Sequence, residues 1–365
     1  MEIASFGSGG RLVRQISERQ LRAHTLLDRL LVGIIRGSAW GGLAGTALLA
    51  GALTAIVVDG AGGAGIAAGV LGVLGGIEAT RGAAFALGEV LAATPRVSTF
   101  RRVTAPGAAG PPPQASVVSA VDRLEASGVS VVYPRAAATA LNDASVLARR
   151  GEMIALVGAN GAGKTTLVRA LVGLVRVSSG AVLVDGRRLT DLPLTERLSH
   201  FGLLTQEFGR YELTVRQAVL LGLPEGVDVA DDAIWRALEI AHLAALVADL
   251  PDGLDTQLGE QFGGTGLSGG QWQRLALARI AVRNAGIWIL DEPTSTVDAE
   301  TEREIFGELL QHRRHRITIV VSHRAWTLKG MDRIYVLDAG RIVQCGSYEE
   351  LLGTPGRFRE LFAEQ

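Results

Sequence analysis

From about residue 127 onward, short apolar runs alternate with stretches in which apolar residues recur every three or four positions. The apolar runs predict strands, and the 3.6-residue period predicts amphipathic helices. The predicted strands are Val129–Tyr133, Met153–Val157, Ala181–Val184, Phe201–Thr205, Ile287–Leu290, Ile317–Val321 and Ile334–Leu337. The predicted helices are Lys164–Val175, Asp231–Val247, Ser268–Val282 and Ala299–His312. This alternation predicts an α/β domain with a buried, mostly parallel sheet and a helical subdomain inserted over residues 210–285.

The first hundred residues follow a different pattern. Arginines interleave with leucines over residues 1–36, which predicts an amphipathic helix. No charge occurs from Ala39 to Val58, a length close to the roughly 20 residues that a membrane-spanning helix needs. A second span is predicted at residues 61–93, and the flanking arginines place both ends of this α-helical membrane hairpin in the cytosol. A buried soluble hairpin and a glycine/alanine-rich tail with little structure are the alternatives.

Residues 104–114 contain three consecutive prolines, which favour an extended chain and exclude a continuous helix. The sequence therefore predicts three parts. Residues 1–103 hold the amphipathic helix and a partial transmembrane domain, with spans at about 39–58 and 61–93. Residues 104–126 form a Pro/Gly linker, and residues 127–365 form the α/β domain.

Composition excludes some classes of partner and site. The formal net charge is −1, from 36 basic and 37 acidic residues, so no basic surface predicts nucleic acid as a partner. The single cysteine, Cys345, excludes a disulfide within the chain. The mean hydropathy of +0.27 is high for a purely soluble protein, and the excess of apolar residues lies near the N-terminus.

The segment Gly158–Thr165 reads Gly-Ala-Asn-Gly-Ala-Gly-Lys-Thr and fits the pattern of a P-loop, Gly-x-x-x-x-Gly-Lys-Ser/Thr. It lies directly between a predicted strand and a predicted helix. Its glycines allow backbone N–H groups to converge on phosphate oxygens, and the helix N-terminus favours the same anion. Lys164 is expected to reach the terminal phosphates and Thr165 to bind Mg²⁺. The sequence therefore predicts a nucleoside triphosphate site.

Two acids follow the apolar strand Ile287–Leu290. Ligands collect at the carboxyl ends of the strands in open α/β sheets, so these acids are expected beside the P-loop. Asp291 suits the coordination sphere of Mg²⁺, and Glu292 suits the polarisation of a water molecule. The alternative is an ordinary strand end with solvated acids.

A second glycine motif, Leu267-Ser268-Gly269-Gly270-Gln271, precedes a predicted helix, and Ser268 is a suitable N-cap. Two glycines and a serine at a helix start form a second anion-binding loop. Because one active site needs only one such loop, the second suggests that each chain serves the nucleotide of a partner.

This combination of motifs resembles the ATP-binding cassette (ABC) ATPases over roughly residues 127–361. Leu267–Gln271 has the form of the family's signature, and further motifs follow in the family's order. These are Tyr133 at the adenine-stacking position, Gln206 after a strand, Ser295-Thr296-Val297-Asp298 after the acidic strand, and His323 in Val-Val-Ser-His. The resemblance implies that two cassettes dimerise head to tail, with ATP between the Lys164 loop of one chain and Ser268–Gly270 of the other.

The resemblance also implies residue roles. Glu292 would be the general base, His323 would contact the γ-phosphate, and Gln206 would sense Mg²⁺ and water. The implied ATP-binding residues are Tyr133, Gly158, Asn160, Gly161, Gly163, Lys164, Thr165, Thr166, Ser268, Gly269, Gly270, Gln271 and Asp298, where Asp298 would organise the dimer face. The implied metal ligands are Thr165, Gln206 and Asp291. ATP and Mg²⁺ are the expected cofactors.

The segments Leu250–Thr256 and Gly340–Gly346 resemble exporter-type cassettes, and the N-terminal region resembles the last two membrane helices of an exporter. Exporters of this type usually have six such helices, so the transmembrane domain is predicted to be shortened. Residues 261–266 lack the family's usual Glu-Arg-Gly, and Trp272 replaces a common basic residue. None of these departures removes a catalytic group.

The sequence therefore predicts the ATP-hydrolysing subunit of an exporter-like ABC transporter that couples cassette dimerisation to substrate movement across a membrane. The alternative is a non-transport ABC ATPase with a regulatory or partner-remodelling role. The expected partners are a second ABC subunit, identical or different, the membrane and an unknown transported substrate, with no nucleic acid. The expected location is the plasma membrane, multi-pass, with the ATPase domain in the cytoplasm.

Overall fold

A computed structural model describes residues 120–134, 139–224, 226–260 and 263–363, together with scattered helical positions between Gly33 and Gly88. The chain divides into two compact units, one around those helical positions and one that holds the α/β domain. Nearly all of the predicted amphipathic helix at 1–36 and residues 104–119 of the predicted linker lie outside the described residues.

The described positions of the N-terminal unit are helical, and residues 67–78 form a continuous helical stretch. Two parts of this unit come close together, since a Cβ atom built on Gly45 would lie 3.7 Å from the Cα atom of Gly76. Much of both predicted spans, 39–58 and 61–93, lies outside the described residues. No helix within the described positions is both long and apolar enough to cross a membrane. The membrane hairpin therefore stays a prediction.

The α/β domain contains strands β1 to β10 and helices α1 to α10. The strands are β1 Arg123–Val131, β2 Leu141–Arg149, β3 Met153–Val157, β4 Ser179–Val184, β5 Arg187–Arg188, β6 Phe201–Leu204, β7 Ile287–Asp291, β8 Ile317–Val321, β9 Arg333–Asp338 and β10 Arg341–Gly346. The helices are α1 Lys164–Leu171, α2 Leu194–Ser199, α3 Val215–Leu220, α4 Asp231–Ile240, α5 Ala244–Ala248, α6 Gly269–Arg283, α7 Ala299–Gln311, α8 Ala325–Leu328, α9 Tyr348–Gly353 and α10 Arg357–Phe362. Short 3-10 turns occupy Leu189–Asp191, Gly253–Asp255 and Arg313–His315.

The larger sheet has six described strands in the order β10-β9-β3-β8-β7-β6. The pairs β9–β3, β3–β8, β8–β7 and β7–β6 are parallel, and only β10 is antiparallel to its neighbour. Every residue of β3, β6, β7 and β8 is buried. Such strands are apolar on both faces because helices or a second sheet cover both. The prediction of a buried, mostly parallel sheet is confirmed.

The smaller sheet is antiparallel, in the order β2-β1-β4-β5. Its strand β1 begins at Arg123, six residues before the start of the predicted strand at Val129–Tyr133. The sequence pattern did not predict β2, because its polar residues and alanines obscure a simple alternation of buried and exposed positions. The two sheets pack together, since Ile154 and Leu156 of β3 share a core with β1 and β2.

The other face of β3, formed by Met153, Ala155 and Val157, shares a core with α3, α4 and α6. These helices lie within the predicted helical subdomain at 210–285. The single helix predicted at Asp231–Val247 is two helices, α4 and α5, separated at His242, whose φ of 52° is left-handed. Helix α6 begins at a capping box in which the Ser268 hydroxyl accepts a hydrogen bond from the Gln271 amide.

Candidate nucleotide-binding site

The loop between β3 and α1 has backbone angles that require glycine. Gly158, Gly161 and Gly163 have φ values of 152°, 81° and 104°. A Cβ atom on Gly158 would also lie 2.3 Å from the carbonyl oxygen of Leu337, a distance that no side chain could accommodate. Gly163 is the N-cap of α1, so the loop leads directly into a helix N-terminus. This geometry turns backbone N–H groups towards a common point, which suits an anion.

Lys164 begins α1 and is buried. Its ammonium group donates hydrogen bonds of 2.8 Å and 3.0 Å to the carbonyl oxygens of Gly158 and Ala159. Burial lowers the pKa of Lys164, whereas the nearby Glu292 and Asp291 raise it. The end of the Lys164 side chain therefore lies at the P-loop, near Asp291 at the end of β7 and Glu292 directly after it.

Asp291 is the last residue of β7 and is buried. Burial, with a smaller contribution from Glu292, raises the pKa of Asp291 to about 6, and Lys164 acts in the opposite direction. A buried carboxylate between a lysine and a second acid is typical of a site that holds a cation or a charged ligand.

Glu292 follows β7 in a left-handed conformation, with a φ of 51°. Such a conformation costs a non-glycine residue about 1–3 kcal/mol and is found where surrounding contacts enforce it. Its amide donates a 3.0 Å hydrogen bond to the carbonyl oxygen of Val321 at the end of β8. The carboxylate lies 3.0 Å from Nε2 of His323 and accepts a 3.5 Å hydrogen bond from Nε2 of Gln206. The three predicted catalytic residues are therefore adjacent.

These residues share an open cavity of about 250 Å³. The cavity is lined by Ala140, Asn160, Gly161, Gly163, Lys164, Thr165, Thr166, Gln206, Asp291, Glu292 and His323. The site forms because β3, β6, β7 and β8 are parallel and end at the same edge of the sheet, as expected for ligands of open α/β sheets.

The residues around the cavity fit ATP with Mg²⁺. The glycine loop, the α1 N-terminus and the Lys164 ammonium offer donors and positive charge to a triphosphate. Thr165, Gln206 and Asp291 offer a hydroxyl, an amide oxygen and a carboxylate around the same cavity. Mg²⁺ is usually held by one or two carboxylates together with substrate phosphates, and this donor set suits that arrangement.

Residues 141–295 match a family model described as ABC transporter. This part of the chain is an ABC transporter ATPase domain. The cassette is 39% identical over 243 residues to "ABC multidrug transporter MDR5" of Trichophyton rubrum, an alignment that covers 66% of this chain and 18% of that protein. It is 38% identical over 237 residues to "ATP-dependent lipid A-core flippase" of Methylobacillus flagellatus, covering 65% of this chain and 40% of that protein. The chain thus spans less than half the length of these curated relatives.

Among solved structures, the chain is similar in fold to one entitled "Structure of a bacterial Atm1-family ABC exporter with ATP bound". The TM-score is 0.63, the sequence identity is 22%, and the match covers 97% of this chain and 72% of that chain. The two relatives are named as a multidrug transporter and a lipid A-core flippase, and the solved structure as an exporter.

The cassette places its signature residues apart from this cavity. Ser268, Gly269, Gly270 and Gln271 are not among the described residues that line it. The signature packs instead against the segment after β7, because a Cβ atom on Gly270 would lie 2.8 Å from the carbonyl oxygen of Thr296.

Two further predicted ATP-binding residues make contacts that the motifs did not show. The Tyr133 hydroxyl lies 3.5 Å from the Thr166 hydroxyl, next to the P-loop. Asp298 is the N-cap of α7, where its carboxylate accepts hydrogen bonds from the amides of Glu300 and Thr301 and from the Thr301 hydroxyl. The bonds from Thr301 lower the pKa of Asp298.

Sequence reasoning missed several buried polar residues around the cassette's acids. Glu302 is buried in the first turn of α7, accepts a 2.6 Å hydrogen bond from the Thr294 hydroxyl and forms an ion pair with Arg324. This pair anchors the residue that directly follows His323. Gln273 is buried in α6, donates a hydrogen bond to the carbonyl oxygen of Glu292, and also contacts Ser295 and Thr296 beyond it. In the sequence, Glu302 is an acid in the first turn of a predicted helix and Gln273 is a polar residue within another. Both positions are common for exposed side chains, so the sequence predicted no role for either residue.

We expect Gly158→Ala to weaken ATP binding by about tenfold or more, because the strain and the contact with Leu337 together cost at least about 1.4 kcal/mol. Gly226→Ala is the matched control, since Gly226 also has a positive φ, of 83°, but a Cβ atom there meets nothing within 4 Å. Binding of a fluorescent ATP analogue and thermal unfolding measure the two effects. Equal analogue affinity in the two variants would contradict this interpretation of the loop.

Proposed function

We propose that this chain binds and hydrolyses ATP as a subunit of an exporter-like ABC transporter. The observation that carries the proposal is the convergence of Lys164, Gln206, Asp291, Glu292 and His323 around one cavity at the carboxyl edge of the parallel sheet. The cassette's family and the names of its relatives support transport over a regulatory or partner-remodelling role.

In the proposed reaction, Glu292 accepts a proton from water as the water oxygen bonds to the γ-phosphorus and the bond to ADP breaks. The ring of His323, in contact with one carboxylate oxygen, orients Glu292 and faces the γ-phosphate. Gln206 contacts the other oxygen and so lies where the attacking water is expected. Lys164 and the loop amides hold the phosphates in place. Thr165, Gln206 and Asp291 would hold Mg²⁺, which when bound would neutralise charge on the phosphate oxygens.

The proposal includes a second ABC subunit, either another copy of this chain or a different one. The signature Ser268–Gly270 presents a helix N-terminus but does not line the chain's own cavity. A head-to-tail pair would bring the signature of one cassette over the nucleotide held by the other. Tyr133 would stack on the adenine, while Gln271 and Asp298 would lie on the dimer face.

We also propose that residues 1–103 provide a partial transmembrane domain, joined by a linker to a cytoplasmic cassette. The cassette's first strand, β1, begins at Arg123, a few residues before the boundary predicted at 127. Exposed apolar side chains on described helical positions, including Trp40, Leu71, Ile77 and Phe85, support contact with the apolar part of a membrane. The plasma membrane is the proposed location, and the transported substrate is unassigned.

The test uses membranes from cells that produce the full chain. After a high-salt wash, which removes proteins held by surface charge, we expect the chain to stay in the pellet because apolar burial is insensitive to screening. The washed membranes should release phosphate from ATP in a magnesium-dependent manner. Membranes that carry the Glu292→Gln variant at equal abundance are the control. A chain that moves to the supernatant would contradict the membrane assignment, and activity equal to that of the control would contradict ATP hydrolysis.

A further inference from the structure

Gln273 is a buried amide on α6, five residues after the helix N-cap Ser268, and its side chain is 1% exposed. Its Nε2 donates hydrogen bonds to the carbonyl oxygen of Glu292 at 2.8 Å and to the Ser295 hydroxyl at 3.1 Å. Its Oε1 accepts from the amide of Thr296 at 3.0 Å and from the Thr296 hydroxyl at 2.7 Å. All four hydrogen-bonding positions of the amide are therefore used.

The orientation of this amide is fixed by its partners. The carbonyl oxygen of Glu292 only accepts, and the amide of Thr296 only donates. If the Gln273 amide were flipped, its oxygen would face the carbonyl oxygen of Glu292 and its NH₂ group would face the amide of Thr296. Neither pair can form a hydrogen bond, so Nε2 must face Glu292. The side chain thus joins α6 to the residues on both sides of the turn that follows β7.

Glu292 needs such support because its left-handed backbone is unfavourable for a residue with a side chain. Its carbonyl oxygen accepts from Nε2 of Gln273 at 2.8 Å, whereas the bond from the amide of Ser295 is longer, at 3.3 Å. Its own amide is held by Val321. The conformation that directs the Glu292 carboxylate towards His323 and Gln206 is therefore fixed from β8 on one side and from α6 on the other.

We propose that Gln273 is a positioning residue for ATP hydrolysis, which holds Glu292 in the left-handed conformation that aligns its carboxylate with the attacking water. The inference rests on the proposed function, because it concerns the base of that reaction. Gln273 does not line the nucleotide cavity, so its loss should affect the chemical step rather than ATP binding. The same helix begins at the signature, so α6 links the signature to the backbone of Glu292.

The test compares kcat, the KM for ATP and thermal stability in the full chain. Gln273→Met keeps the approximate size of the side chain and removes all four hydrogen bonds. We expect kcat to fall by about 10- to 100-fold, as for a misplacement of a catalytic group by about 1 Å, with KM changed by less than about threefold. Leu275→Ala is the matched control, because Leu275 is equally buried on α6 and contributes only apolar packing. This control should lose thermal stability but keep kcat.

A second variant, Thr296→Val, removes only the hydroxyl bond to Oε1 of Gln273 and should lower kcat by a few-fold without unfolding the chain. Wild-type kcat in Gln273→Met would overturn the inference, as would a fall in kcat no larger than that of Leu275→Ala. If Gln273→Met does not fold, wild-type kcat in Thr296→Val would overturn it. An inactive wild-type chain would instead refute the proposed function, so the two failures are distinguishable.

Discussion

Replacing Glu292 by glutamine is expected to lower the rate of ATP hydrolysis by on the order of 10²- to 10⁴-fold, the usual contribution of a general base. Glutamine has nearly the same size and can still contact His323 and Gln206, but it cannot accept the proton of the attacking water. The P-loop and Lys164 are unchanged, so ATP should still bind. Phosphate release by the purified full chain measures the first effect, and binding of a fluorescent ATP analogue measures the second.

The matched control is Glu349→Gln, the same chemical change at an exposed acid in the first turn of α9. It should leave both the hydrolysis rate and the analogue affinity unchanged. Hydrolysis by Glu292→Gln at the wild-type rate would exclude Glu292 as the base. A parallel loss of hydrolysis and analogue binding would instead indicate that the substitution had disturbed the P-loop.

The parts of the site that the sequence predicted are those encoded within short segments. The strand, glycine loop and helix from Met153 to Leu171 carry all their signals within one continuous stretch, and the structure has each of them. The segment that contains β7, Asp291 at its end and Glu292 directly after it was also predicted from one continuous stretch. Because parallel strands end at one edge, these separate segments could be placed beside each other before any contact was known.

The features that the sequence did not predict depend on contacts between distant segments. Strand β2 is hard to recognise alone and becomes a strand by pairing with β1. The break between α4 and α5 at His242 follows from a left-handed residue that is not glycine. Glu302 and Gln273 are polar residues whose burial depends on partners elsewhere in the chain, Arg324 and Glu292. The periodicity of apolar residues predicts the structure of one segment. It does not predict which distant segments contact each other, and these features depend on such contacts.

Helix α6 contacts parts of two different nucleotide sites in the proposed dimer, the partner's and the chain's own. Its N-terminus presents the signature, which the proposed dimer directs towards the partner's ATP. One turn later, Gln273 contacts the base that serves the chain's own ATP. The apolar surroundings of α6 hold it rigidly, since most of its residues are buried. Capture of the partner's nucleotide and alignment of Glu292 would then share one rigid element.

If the cassettes pair head to tail, two variants that each fail to retain ATP should regain ATP retention when they are mixed. In the Glu292→Gln background, which should retain ATP without hydrolysing it, Lys164→Ala removes the ammonium group at the phosphates. Ser268→Glu instead places a negative charge at the signature that faces the partner's ATP. Each variant alone disables both sites of a symmetric dimer, because every site needs Lys164 from one chain and Ser268 from the other.

In an equal mixture, half of the dimers contain one chain of each kind, and each of these has one site with both Lys164 and Ser268 intact. Retained ATP, measured after gel filtration, should therefore recover to roughly a quarter of the value for the Glu292→Gln parent, while each variant alone retains almost none. Unchanged thermal unfolding of the two variants excludes misfolding as the cause of the loss. A site that is complete within one chain predicts a different result, in which Ser268→Glu alone retains ATP and mixing adds nothing. Recovery on mixing requires that one cassette close over the nucleotide of another, since neither chain contains a complete site.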